Sequence, residues 1–392
     1  MKKIVGIIAA AALATSAFAE VNVSSWNRAV FEPIHYNGDT LNSYSGPSWA
    51  LGSGNCRAGL SFGASTENAG IAIDINANEG PGTGDNALVW VKPVEMLTVK
   101  IGKINDTLGR LDHAFGTWNL ARFNGVCMQG EGFVVDRTRD KQGFEVTLEP
   151  VEGLVIDYNA NFGAEFANPY DGDDKIKNTD NHTYTVMWEN SSTVVGYKAD
   201  FGFIRAVING QPAAKYSVKD TDTKPAALIG LAADITAIEN LALKVGVSIP
   251  TVLKAKTSKI DFGAGVDYTL DALTLHAQTI LSLRAKKYNS DNDCDLGAFT
   301  AYVGAGVDFA FNDAWKLITD VRFNTFNGKQ KTDGADLKYE DPAFGAYIGL
   351  SQQLSNASFD FGAQFGKRSM ATATGKEDEF TFAVPLTITA SF

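Results

Sequence analysis

The sequence predicts an all-β fold: a transmembrane antiparallel up-and-down β-barrel of eighteen strands, or sixteen if its two weakest turns are discounted. Three observations predict it. Apolar residues recur at every second position along many segments, short turns alternate with long connections, and the second face of the segments is rich in glycine and charge.

The C-terminal segment shows the alternation most clearly. Phe380, Phe382, Val384, Leu386, Ile388, Ala390 and Phe392 share one parity, and Thr381, Ala383, Pro385, Thr387, Thr389 and Ser391 share the other. A period of two places each set on its own face of a strand. Upstream, Ile260, Phe262, Ala264, Val266, Tyr268 and Leu270 alternate with Asp261, Gly263, Gly265, Asp267 and Thr269. Phe299, Ala301, Val303, Ala305, Val307 and Phe309 alternate with Thr300, Tyr302, Gly304, Gly306 and Asp308. The stretches that open at Leu241 and at Trp315 behave alike.

Eight tight turns join these stretches. Six are Pro93–Leu97, Pro150–Leu154, Ala237–Leu241, Thr269–Leu273, Phe311–Trp315 and Leu354–Ala357. Ser65–Ala69 and Trp188–Ser192 are looser versions. Asp, Asn or Glu occupies the bend, and a large apolar residue opens the next strand in the clear cases. Longer connections lie between them, near 34–54, 105–141, 164–181, 209–224, 285–296 and 327–341. Strict alternation of short and long connections is the layout of a membrane barrel. A soluble sandwich also alternates apolar and polar residues, but it does not predict that layout or a last strand apolar to its final residue.

The chain opens like an export signal. Lys2 and Lys3 precede an apolar run from Ile4 to Ala14, and Ala17-Phe18-Ala19 is an A-x-A cleavage site. The run is too short to span a bilayer as a helix, which needs about 20 residues. The expected domains are therefore a signal peptide at 1–19, cleaved after Ala19, and one barrel domain at 20–392. Formal net charge is −11, and no basic patch stands out, so nucleic acid is not an expected partner. Cys56, Cys127 and Cys294 form no C-x-x-C pair, which leaves no zinc or redox motif.

Catalytic and cofactor signatures are absent. The histidines are His35, His113, His182 and His276, and no serine is matched to one of them. Asp291, Asp293 and Asp295 form a D-x-D-x-D run, but Leu296 and Tyr302 occupy the positions where an EF-hand needs glycine and glutamate. No cofactor and no metal are expected. Glycines of the inward parity, among them Gly263, Gly265, Gly304 and Gly306, sit in no nucleotide-binding loop. They suit close approach of neighbouring side chains or of an inserted loop.

The inward parity also carries charge of both signs. Arg57, Lys100, Lys244, Asp267, Asp308, Asp320 and Arg322 are the expected wall residues. Charges inside a barrel this wide imply water, because dry burial would cost several kcal/mol each. Connection 105–141 is the longest, and it is less polar than a solvated loop. Leu108, Leu111, Phe115 and Trp118 are spaced like one face of a short helix. Asp106, Arg110, Asp112, Arg122, Glu131, Asp136, Arg137 and Arg139 are the expected constriction groups on that segment. An external cap is the alternative placement for it.

Over the length that follows the signal, the chain resembles bacterial outer-membrane porins. The resemblance lies in the signal, the even strand count, the alternating connections and the closing strand with Leu386, Ile388, Ala390 and terminal Phe392. It implies a water-filled channel for passive diffusion of small hydrophilic solutes and ions, in the outer membrane of a two-membrane bacterium. It implies that Phe392 ends a signal read by the barrel-assembly machinery, and that the third outer connection folds inward. Outer-membrane lipid is the expected surround, and the resemblance leaves room for a homotrimer. The acidic Pro-Glu-Phe-Gly-Gly motif of enterobacterial porins is absent, so no subfamily follows. A surface-exposed adhesin or antigen barrel that binds host or matrix components through its outer loops is the competing expectation.

Overall fold

A computed structural model describes residues 20–46, 57–77, 81–124, 126, 141–161, 187–214, 224–253, 259–288, 294–325, 342–372 and 375–392. The expected signal peptide at 1–19 and its cleavage site lie outside the described residues.

Every strand pairs antiparallel with its neighbours. β1 (Glu20–Tyr36) opens the sheet, and β2 (Leu41–Gly46) folds back on its far end. The wall continues through β3 (Arg57–Ser65), β4 (Ala69–Ala77), β5 (Pro81–Val94) and β6 (Leu97–Ile104). It passes on through β7 (Lys141–Leu148), β8 (Leu154–Asn161), β9 (Ser191–Ala199) and β10 (Gly202–Ala214). Next come β11 (Lys224–Ile238), β12 (Leu241–Pro250), β13 (Lys259–Leu270) and β14 (Leu273–Tyr288). β15 (Cys294–Ala310), β16 (Trp315–Asn324), β17 (Ala343–Gln353) and β18 (Ala357–Thr372) follow. β19 (Gly375–Ala383) and β20 (Leu386–Ser391) are two pieces of one closing strand, and both pair with β18.

Pro385 interrupts that strand because proline has no N–H for the ladder. Hydrogen bonds persist on either side of the break, from Val384 N to Ile34 O at 3.0 Å and from Gly362 N to Pro385 O at 3.2 Å. β20 then runs against β1 from Phe31↔Leu386 to Trp26↔Ser391, which closes the ring. The result is a closed barrel of eighteen strands, plus the extra piece β2 and the split in the last strand. Closure leaves no edge in the ring of eighteen strands, as a lipid environment requires.

The two faces follow the sequence alternation. Phe262, Val303, Phe323, Phe380 and Ile388 are exposed on the outside, whereas Asp261, Gly263, Asp320, Arg322 and Thr381 are buried inside. An outer surface so widely apolar needs lipid against it. No helix among the described residues is long and apolar enough to cross a membrane.

Seven of the eight expected tight turns stand where the sequence placed them. Asn240 (φ 62°) and Asp271 (φ 48°) take left-handed backbone in two of them. Short polar side chains tolerate that region better than others do. The remaining turn needs correction. Trp188–Ser192 is not a tight turn between strands. Residues 187–189 form one helical turn that leads into β9, with the Ser191 hydroxyl donating to Trp188 O at 2.8 Å. The chain reverses instead at Asp200–Phe201, and Gly202 takes a φ of +129° that side chains rarely adopt.

Three connections are also shorter than expected, and of 285–296 only 289–293 lie between β14 and β15. β10 runs to Ala214, so strand replaces the first residues of connection 209–224. Connection 34–54 contains the β1–β2 hairpin, turned by Asn37, whose side-chain oxygen accepts from Thr40 N at 3.1 Å.

Candidate functional site

Inside the barrel, ion pairs link neighbouring strands. Lys100 on β6 pairs with Glu145 on β7, and Arg205 on β10 reaches Asp234 on β11 at 2.5 Å. Lys244 on β12 stands 3.7 Å from Asp234. Lys316 on β16 bonds Asp308 on β15 at 3.1 Å, and Arg322 bonds Asp320 within β16 at 2.7 Å. The register puts such residues side by side, as with Asp234↔Lys244 and Lys100↔Glu145.

Residues 105–124 leave β6 and pass along this wall from hairpin to hairpin. Leu108 and Leu111 pack with Val194 (β9), Val207 (β10) and Ala232 (β11). His113 Nε2 contacts Asp267 at 2.9 Å, and its Nδ1 contacts Gln278 at 3.3 Å, on β13 and β14. Phe115 stacks on His276, with centroids 5.5 Å apart and planes 8° apart. Arg322 donates to Phe115 O at 2.9 Å and lies over the ring at 5.0 Å. Thr117 N donates to Asp320 at 3.1 Å.

A short helix α1 (Trp118–Asn124) completes the crossing. Leu120 joins Ile318, Ala343 and Tyr347. The Asn119 amide donates to Glu32 on β1, and Thr381 on β19 donates to Asn124.

Backbone carbonyls of the segment are held by wall cations. Arg205 donates to Arg110 O, and Lys244 donates to Asp112 O. Glycines on the wall make room for it. A Cβ at Gly246 would meet Leu111 Cδ2 at 2.7 Å, one at Gly304 would meet Phe115 Cζ at 2.8 Å, and one at Gly345 would meet Leu120 Cδ1 at 2.9 Å.

The expected helical face of Leu108, Leu111, Phe115 and Trp118 does not form. Residues 105–117 carry no helix, and Leu111, His113 and Phe115 are buried while Asp112 and Ala114 are not. That is a period of two, the signature of extended chain laid across the strands.

The expected constriction groups divide as follows. Asp106 is buried beside Glu145 and Asp157. Arg110 pairs with Asp112, whose side chain is 38% exposed. Arg122 lies on α1, but its side chain is outside the described residues, as are Glu131, Asp136, Arg137 and Arg139. Among wall residues, Lys100, Lys244, Asp267, Asp308, Asp320 and Arg322 make the contacts given above. Arg57 opens β3, and its side chain is not described. Phe392 is 73% exposed, and its backbone exchanges two hydrogen bonds with Ser25, at 2.6 and 2.8 Å.

Sequence reading passed over His113, Glu32, Arg205 and Gln278. Arg205 was lost because the misplaced turn hid the alternation of β10. Glu32 shares the parity of buried Val30, so extending the β1 register further would have found it. His113 had no local signal, since its partners lie more than 150 residues away.

No family model and no curated protein matches the chain. Solved structures do. A porin refined at 1.8 Å aligns with a TM-score of 0.50 and 14% identity, over 95% of this chain and 100% of that one. OccK11 (OpdR) of Pseudomonas aeruginosa gives 0.52 and 10%, over 95% and 96%. The outer membrane protein opdK of the same organism gives 0.52 and 8%, over 95% and 98%. Identities this low speak to fold alone, and the fold is the closed antiparallel β-barrel that those porins share.

Proposed function

We propose that the chain forms a water-filled channel in the bacterial outer membrane for passive diffusion of small hydrophilic solutes and ions. The observation that carries this reading is the partly exposed charge on the inner wall. Lys100, Lys244 and Lys316 are each about one-third exposed, and Asp234, Asp267 and Asp308 are about one-quarter exposed. Charges left this open to the interior call for water around them, because full desolvation would cost several kcal/mol each. Barrels of this strand number are wide enough to hold an aqueous path.

The crossing segment narrows that path. Arg110 and Asp112 on the segment and Lys244 and Asp234 on the wall put both signs of charge beside the opening, a field that sorts solutes by polarity and charge. The reading is non-enzymatic. It includes export with cleavage after Ala19, folding by the barrel-assembly machinery, and a homotrimer in outer-membrane lipid.

Liposome swelling tests it. Vesicles that contain the purified protein should swell quickly in arabinose and slowly in raffinose, because the segment excludes larger solutes. Swelling no faster than in protein-free vesicles, for every sugar, would defeat the reading.

A further inference from the structure

Three carboxylates from three elements converge where the crossing segment leaves the wall. Asp106 lies just past β6, Glu145 is on β7 and Asp157 is on β8, and one oxygen from each lies within 4.8 Å of the others. All are buried, Asp157 to 1% exposure and Glu145 to 3%.

The contacts around the cluster leave acceptors of Asp157 and Asn159 unmatched among the described residues. Asp106 Oδ1 accepts from Leu108 N at 2.8 Å. Asp157 Oδ1 accepts from the Thr147 hydroxyl at 2.6 Å, and Glu145 Oε1 lies 3.5 Å from the same hydroxyl. Glu145 also pairs with Lys100, and its Oε2 accepts from Asn159 Nδ2 at 3.2 Å. Asp157 Oδ2 has no partner among the described residues. Neither has the carbonyl oxygen of Asn159, a fully buried neutral side chain tied to the cluster through Glu145. A buried acceptor left unmatched costs about 1–3 kcal/mol, and more when charged.

We propose that Asp106, Glu145 and Asp157 hold a calcium ion, with Asn159 Oδ1 at hand as a neutral ligand. The donor set is all oxygen, which suits a hard cation. Calcium–oxygen distances of about 2.4 Å put ligands on opposite sides of the ion about 4.8 Å apart, so the three carboxylates can share one ion. Lys100 offsets one carboxylate, and a dication balances the other two. Calcium accepts the irregular geometry of two strands and a loop more readily than magnesium, which demands a near-ideal octahedron. Because Asp106 belongs to the segment and the other two to the wall, the ion pins the root of the segment to β7 and β8. Spacing in the sequence could not show it, since the ligands stand at 106, 145 and 157.

Equilibrium dialysis of chelator-treated, folded full-length protein against radioactive calcium in excess magnesium tests the proposal. Wild type should bind one calcium per chain at this site. Asp157→Asn and Asp106→Asn should each lose it. Asp106 lies outside every strand, so Asp106→Asn decides the matter if Asp157→Asn does not fold. Asp291→Asn/Asp293→Asn/Asp295→Asn, which removes the acidic run near the start of β15, should keep it. Unchanged binding in Asp106→Asn, or wild-type binding that vanishes in the triple variant, would overturn the site. The assay needs no conduction, so its failure is distinct from failure of the channel reading.

Discussion

Deleting residues 112–124 should raise single-channel conductance several-fold while the barrel stays folded. The deletion removes Leu120 and Phe123, whose side chains are fully buried, together with Phe115 and α1. None of these residues belongs to a wall strand, and the strand ladders on both sides of the seam remain. What is lost is material that stands in the lumen, and ion flow rises with the open area. The wall groups it covered change surroundings without losing their fold. Arg322 and Asp320 keep each other as partners and become solvated, which lowers the cost of their burial. The deletion should also blunt discrimination among sugars in liposome swelling. Wild-type conductance in a correctly folded deletion variant would show that the segment does not limit the path.

Replacing Phe392 by Asp should nearly abolish barrel assembly in cells, with synthesis unaffected. The magnitude separates two causes. Phe392 sits at the end of the seam, where a lipid-facing charge costs only about 0–1 kcal/mol. The backbone bonds to Ser25 do not depend on the side chain. Loss of folded stability is therefore too small to block assembly by itself, so the expected effect rests on the proposed recognition of the aromatic residue at 392. Two measurements follow. Heat-modifiable barrel should be almost absent from outer membranes of cells that make the variant, and Phe392→Tyr should restore it. The purified Phe392→Asp chain should still refold in detergent. Normal heat-modifiable barrel in cells would refute a signalling role for the terminal residue, and failure to refold in detergent would move the cause to the seam.

Alternation made the barrel legible. Residues such as Phe262 and Asp261 disclose their faces from sequence alone, because side-chain direction in a strand is a local property. The wall charges were legible for the same reason, and so was the use of inward glycines as room for an approaching segment. Turn chemistry was less decisive. Trp188-Glu189-Asn190 and Asp200-Phe201-Gly202 both carry bend-forming residues, and only the β9–β10 register, such as Phe203↔Lys198, shows which one reverses the chain. Once that turn slipped, Arg205 and the whole inward face of β10 were out of reach.

The crossing segment exposes a different limit. Leu108, Leu111, Phe115 and Trp118 fit a helix by spacing, yet the burial of Leu111, His113 and Phe115 follows a period of two set by the wall beneath. Its partners are long-range. His113 meets Asp267, Arg322 meets Phe115, and Thr381 meets Asn124 across more than 150 residues in each case. Such pairs depend on barrel closure, which no local pattern encodes.

Single-channel recording in a planar lipid bilayer tests the central claim most directly. Purified wild-type protein, added to one side of the membrane, should produce discrete upward current steps of uniform size. The steps should be ohmic near zero voltage and should grow with salt concentration, as expected of a water-filled path. Correctly folded, heat-modifiable barrel that inserts into the bilayer and gives no steps at any salt concentration would contradict it.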